Sequence, residues 1–302
     1  SVQLLSFANK VRQNPDCFAT RLRTHVLRAN AFVKGRRTIL MFDATGSMRG
    51  IIGKVKTLVQ IAMKHAMKTL RKNFGIESLP EDNQEDMVGF ELQAMVYRNY
   101  DSVKVIEYSD FCKTFNRHLE DFLDGVKTKK RGLFTDNRPK RPKSVTSHNE
   151  AIEVALAKAY EEHQKSPIAQ IIIVGDVPSN TRFETNELRK YNHVKAKAVY
   201  FENEYRKLEK SGVTIHTVFT PNSHVASSAD KFFEMSTEDG ENLQLATNDG
   251  TLTEEAATDM AHKLAGVISD HITKSAVHGM GIKRFIKFAR EVASSGLVKN
   301  AQ

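Results

Sequence analysis

Short, largely apolar runs recur along this chain, and most are followed by a longer stretch whose apolar residues return at helical spacing. Thr38 to Phe42, Phe90 to Tyr97, Val103 to Tyr108, Gln170 to Gly175 and Val213 to Phe219 read as strands. Ile51 to Phe74 reads as a helix, with Ile51, Ile52, Val55, Val59, Ile61, Ala62, Ala66 and Leu70 recurring at roughly helical spacing. Phe111 to Leu123, Glu150 to Glu162 and Leu252 to Thr273 are predicted as further helices, and Phe183 to Lys210 as an interrupted one. A strand that is apolar at consecutive positions has no side to turn to water, so both of its faces must be covered. Strands of that kind alternating with helices imply an α/β fold: a Rossmann-like, doubly wound, mostly parallel central sheet with helices on both faces. In such folds ligands bind beyond the carboxyl ends of the strands.

The segments before Arg36 and after His278 fall outside this alternation and read as helical extensions. The expected organisation is an extension over 1–36, a main domain over 37–277 and a basic amphipathic helix over 278–302. In the last of these, Ile282, Phe285 and Ile286 stand against Lys283, Arg284 and Lys287. Packing on protein, rather than on a membrane, is the expectation for that helix.

Composition narrows the setting. No apolar run approaches the ~20 residues of a membrane span. With two cysteines in 302 residues, disulfides do not scaffold the fold, and a cytoplasmic location is expected. Lys and Arg number 45 against 36 Asp and Glu, a formal net charge of +9, which biases partners toward acidic surfaces. The excess concentrates in KTKKRGLFTDNRPKRPK, residues 127–143, read as a basic loop insertion. Lys129, Lys130, Arg131, Arg138, Lys140 and Arg141 are its candidate partner-binding residues, for an acidic protein surface or for a nucleic-acid backbone. Phe134 is the only aromatic among them, so base stacking has little support.

The chemistry is concentrated in FDATGSM, Phe42 to Met48, directly after the first apolar run. Asp43 there has three readings. It can cap the helix that follows. It can be the nucleophile of a haloacid dehalogenase-like phosphotransferase, whose D-x-[DT]-G-[TS] pattern fits DATGS and whose later Gly-Asp matches Gly175-Asp176. In that reading Asn180 stands where a further acid is wanted. Or it can ligate a metal together with Thr45 and Ser47, which place oxygens at alternate positions. Asp176 also follows an apolar strand, so the two aspartates are predicted to meet at one rim.

For the third reading the residues resemble a family. FDATGSM is similar to the D-x-S-x-S motif of von Willebrand factor A domains, in the D-x-T-G-S-M form of the intracellular branch found beside alpha-kinases. MVYRNYD at 95–101, TSHNEAIEVAL at 146–156, IIIVGDVPSN at 171–180 and FFEMSTEDGENLQL at 232–245 resemble further segments in family order. The resemblance implies a metal-ion-dependent adhesion site formed by Asp43, Thr45, Ser47 and Asp176, with Thr146 or Ser147 supplying a hydroxyl from a second loop. It implies Mg2+, or Mn2+ or Ca2+, as the ion. Hydroxyl ligands leave much of the ion's charge uncompensated, so it attracts an acidic residue of a protein partner. That is a binding function and requires no catalysis. The glycine-rich run expected in the second loop is replaced here by Ser144-Val145-Thr146-Ser147. A basic scaffold subunit of a larger protein or nucleoprotein assembly, with a vestigial metal site, is the remaining alternative.

Other chemistries lack their signatures. Eleven histidines occur without H-E-x-x-H or Cys-His spacing, and there is no phosphate-binding glycine loop or nucleophile elbow.

Overall fold

The computed structural model describes residues 36–73, 90–126, 142–221, 229–245 and 252–278. The helical extensions read over 1–36 and 278–302 lie outside them apart from Arg36 and His278, as does the basic loop apart from 142–143. The chain divides into two units. One comprises Gly35–Ala66 and Phe90–Ile268; the other comprises Ser1–Lys34, Met67–Gly89 and Ser269–Gln302. In the second unit the described residues are 67–73 and 269–278, each continuing a helix of the first.

Element order in the described residues is β1 (Arg36–Asp43), α1 (Arg49–Asn73), β2 (Phe90–Tyr97), β3 (Ile106–Tyr108), α2 (Arg117–Gly125), α3 (Ile152–Lys165), β4 (Ile168–Gly175), α4 (Arg182–Tyr191), α5 (Phe201–Lys210), β5 (Thr214–Phe219), α6 (Ala229–Phe233), β6 (Asn242–Gln244) and α7 (Glu254–His278). The strands form one six-stranded sheet in the order β3-β2-β1-β4-β5-β6. Every pairing is parallel except β2 with β3. This is a doubly wound α/β sheet, and its strand order reverses between β1 and β4.

Alternation along the central strands sends successive side chains to opposite faces. On one face Ile39, Met41, Met95, Tyr97, Ile171, Ile173 and Ile215 pack with Ile152, Ala155, Leu156 and Ala159 of α3, Leu208 of α5 and Phe232 of α6. On the other face, Gln170 Nε2 donates to the Ile268 carbonyl, which brings α7 against the sheet. Ile51, Val55, Leu58, Val59, Ala62, Met63 and Ala66 make the buried stripe of α1. Burying each Ile or Leu contributes roughly 1.5–3 kcal/mol, so the apolar strands dominate the fold's stability.

The structure departs from the sequence reading at two places. The helix expected from Phe111 begins at Arg117, because Cys112 pairs by backbone hydrogen bonds with Leu92 and Asn116 caps the helix by accepting from Leu119 N. The strand expected from Val103 begins at Ile106; Val103 is almost fully exposed, in the turn that the Arg98 guanidinium spans to Glu107. The late segment 232–245 contains a short helix and an edge strand. In the loop between them lies Gly240, where a Cβ would stand 2.0 Å from the Ile215 carbonyl oxygen, so only glycine fits.

Candidate functional site

Asp43 ends β1, and Asp176 follows the last residue of β4. These are the adjacent strands between which the order reverses, so both aspartates emerge into the crevice at that switch point. Both are buried. The loop after β1 is pinned at both ends. Ala44 N donates to the Tyr97 carbonyl, and the buried Met48 Sδ accepts from the Thr220 hydroxyl just beyond β5. Between those anchors Asp43 Oδ1 accepts from Thr45 N at 2.7 Å, an Asx-type turn that folds the loop back over the carboxylate. Thr45 is half-buried, whereas Ser47 is exposed.

The electrostatics of this corner are unfavourable as they stand. Burial, and then the negative charge of Asp176, push the Asp43 carboxyl well above its ordinary range, while hydrogen bonds from Thr45 pull it down. The Asp43 Oδ2 atom is buried and receives no hydrogen bond from an N–H or hydroxyl. Beneath the pair lies the fully buried phenol of Tyr97, which donates to the Val174 carbonyl. Burial raises that phenol's pKa, and the charges of Asp43, Asp176 and Glu150 raise it further. Gly175 leaves room for the phenol, since a Cβ there would stand 2.5 Å from its oxygen.

The donor set fits a hard divalent cation. Two oxygens on adjacent corners of a magnesium octahedron, each ~2.1 Å from the ion, stand ~3.0 Å apart. The hydroxyls of Thr45 and Ser47 are 3.0 Å apart. Two carboxylates and two hydroxyls at one rim, with a buried oxygen lacking a donor, are the chemistry such an ion would satisfy. Among the described residues no group of three or more His, Cys, Asp or Glu side chains is arranged to hold a metal, so this set depends on its hydroxyls.

The second loop is held at the start of α4. Thr146 is exposed. Ser147 lies beside the carboxylate of Glu184, which accepts from Asn149 Nδ2 and Thr181 N. Glu184 closes a capping box with Thr181 at the start of α4, so that helix cap anchors the loop. Asn99 Nδ2 donates to the Asn149 carbonyl, and Glu150 pairs by backbone with the segment around Ser179. Lys129, Lys130, Arg131, Arg138, Lys140 and Arg141 lie outside the described residues.

Sequence reasoning missed Glu153. It sits on α3, fully buried, and accepts from Ser179 Oγ at 2.7 Å and from Asn180 Nδ2 and Thr185 Oγ1 at 3.3 Å. Burial raises its pKa to about 7, against the pull of those hydrogen bonds. Its only sequence signal is a carboxylate within the otherwise apolar run Ala151-Ile-Glu-Val-Ala-Leu156.

No protein-family model matches the sequence, and no curated protein matches it. Solved structures do. The pilus adhesin SpaC from Lactobacillus rhamnosus GG aligns at 11% identity over 80% of this chain and 31% of its own, with a TM-score of 0.47. Proximal thread matrix protein 1 of the mussel byssus aligns at 13% identity over 80% and 47%, with a TM-score of 0.42. The vWF domain of the pilus tip protein Mfa5 from Porphyromonas gingivalis aligns at 11% identity over 81% and 96%, with a TM-score of 0.39. The chain spans about a third and about half of the first two proteins. Its α/β fold is defined by its own strand order and register. No described helix is long and apolar enough to cross a membrane.

Proposed function

We propose that this chain is a von Willebrand factor A-like interaction module, without catalytic activity, that captures an acidic group of a protein partner through a magnesium ion. Asp43, Thr45, Ser47 and Asp176 would hold the ion. The observation that carries the reading is the meeting of Asp43 and Asp176 at the switch point, beside a hydroxyl pair spaced for one octahedral edge. When bound, the ion supplies a Lewis-acidic position for a carboxylate from outside. The chain's own residues do the rest. Thr45 N orients the Asp43 carboxylate, the Tyr97 phenol and Gly175 fill the floor, and exposed Ser47 leaves the outer side of the rim open to a partner. The basic residues of 127–143 would add attraction for an acidic surface. Hydroxyl ligands, in place of further carboxylates, are what make the site an acceptor of acid groups instead of a closed cage.

Titration of the purified chain with Mn2+, followed by electron paramagnetic resonance, tests this. One bound ion is expected in the wild type and none in D43A or D176A. Addition of an acidic peptide should displace water from the bound ion. Binding unchanged by both substitutions would overturn the metal assignment. Release of phosphate from a phosphoester, with beryllium fluoride trapped at Asp43, would replace it by the phosphotransferase reading.

A further inference from the structure

We infer that His65 of α1 and His262 of α7 form a second metal site, selective for a borderline transition cation such as Ni2+, Cu2+ or Zn2+ and distinct from the rim. The two residues are 197 positions apart, yet their Nε2 atoms are 3.0 Å apart. Both belong to the same unit of the chain. A direct N–H···N hydrogen bond would point the rings at each other, setting their centres apart by the nitrogen separation plus a ring radius at each end. The centres are instead 4.1 Å apart, only about 1 Å more than the nitrogens, with the ring planes at 62°. The rings are therefore inclined to each other with their nitrogen edges facing, an arrangement that a shared ion could use.

The separation suits cis ligation. Two nitrogens ~2.1 Å from one ion stand ~3.0 Å apart at a right angle, and somewhat further at a tetrahedral one. Imidazole is a ligand of intermediate softness, preferred by Ni2+, Cu2+ and Zn2+ over Mg2+ or Ca2+. The two sites thus divide the cations: hydroxyls and carboxylates at the rim for hard ions, imidazoles here for borderline ones. Entry is open, since His262 is exposed and His65 half-buried. Water would complete the coordination, because among the described residues no third His, Cys, Asp or Glu joins the pair in ligating geometry. An ion held there bridges two helices. It ties α1, which leads from the Asp43 loop, to α7, which packs on Gln170 of β4.

The test uses Cu2+ and Ni2+ salts alone on the full-length chain carrying D43A, so that the rim cannot contribute. The Cu2+ paramagnetic resonance spectrum should show two equatorial imidazole nitrogens, reduced to one or none in H262A and in H65A. Calorimetric titration with Ni2+ should give one tight equivalent, weakened at least tenfold by either substitution. Nine other histidines control for adventitious binding, since they remain in both variants. Because His65 is half-buried, H262A, at the exposed position, guards against misfolding, and circular dichroism should match that of the parent. A Cu2+ spectrum and Ni2+ affinity identical in parent and H262A would overturn the site. Loss of Mn2+ binding in D43A bears only on the rim, so the two assignments fail independently.

Discussion

Asp43 and Glu153 are both fully buried, and burial raises both carboxyls, yet their surroundings are opposite in kind. Glu153 sits among donors: a serine, an asparagine and a threonine are aimed at its two oxygens. Asp43 sits against another carboxylate, and one of its oxygens has no donor at all. Glu153 is complete without a ligand and ties α3 to the start of α4. Asp43 is completed only by a proton or a cation. Burial alone does not mark a functional acid; the sign of what faces it does.

The comparison can be broken most forcefully at Glu153. Glu153→Ala would leave three buried donors without their acceptor and should cost about 3 kcal/mol, read as a lower urea midpoint with unchanged slope. Its titration has a definite sign. The folded pKa of about 7 lies above the ordinary 4.5, so the folded chain holds a proton there that the unfolded chain has lost. Stability from this group is fully present below about 4.5 and is lost as pH rises through about 7, by up to about 3 kcal/mol. Glu153→Gln should flatten that slope when the two stability–pH profiles are subtracted.

The aspartate pair should respond to a cation instead. Magnesium at 100 times its dissociation constant should stabilise the wild type by about 2.7 kcal/mol in thermal melts, and Asp176→Asn should abolish the gain. In chelator, Asp43→Asn should be more stable than the wild type by about 1 kcal/mol, because the amide removes one of two facing charges while its oxygen still accepts from Thr45 N. A destabilised Asp43→Asn would mean the carboxylate serves the fold. The smallest effect belongs to exposed Ser47. Ser47→Ala should change stability by less than about 0.5 kcal/mol in chelator yet weaken magnesium binding about tenfold.

The strands were legible in the sequence because strands covered on both faces carry apolar residues at consecutive positions, as Ile39 to Phe42 of β1, Ala94 to Val96 of β2 and Ile171 to Val174 of β4 do; β5, with Thr214, His216 and Thr217, shows it least. The position of Asp43 and Asp176 followed from the same rule, since both stand at the carboxyl ends of such strands. What escaped was set by contacts distant in sequence. The start of α2 depends on Cys112 pairing with Leu92, which helical spacing does not encode. Glu153 is surrounded by Ser179, Asn180 and Thr185, which come from beyond β4 and which the spacing within α3 does not encode. The carboxylate beside Ser147, that of Glu184, lies on the next helix but one. The convergence of His65 with His262 depends on how two long helices meet, and neither residue has a flanking motif.

The capping box at the start of α4 sets a boundary on how this domain can be altered. Glu184 holds Asn149 and Thr181, and Val145 is buried with Tyr100, Ala151 and Leu188, so the second loop is fastened from 145 onward. Removing the Glu184 carboxylate would therefore loosen the second loop and the start of α4 together, so neither can be redesigned without the other.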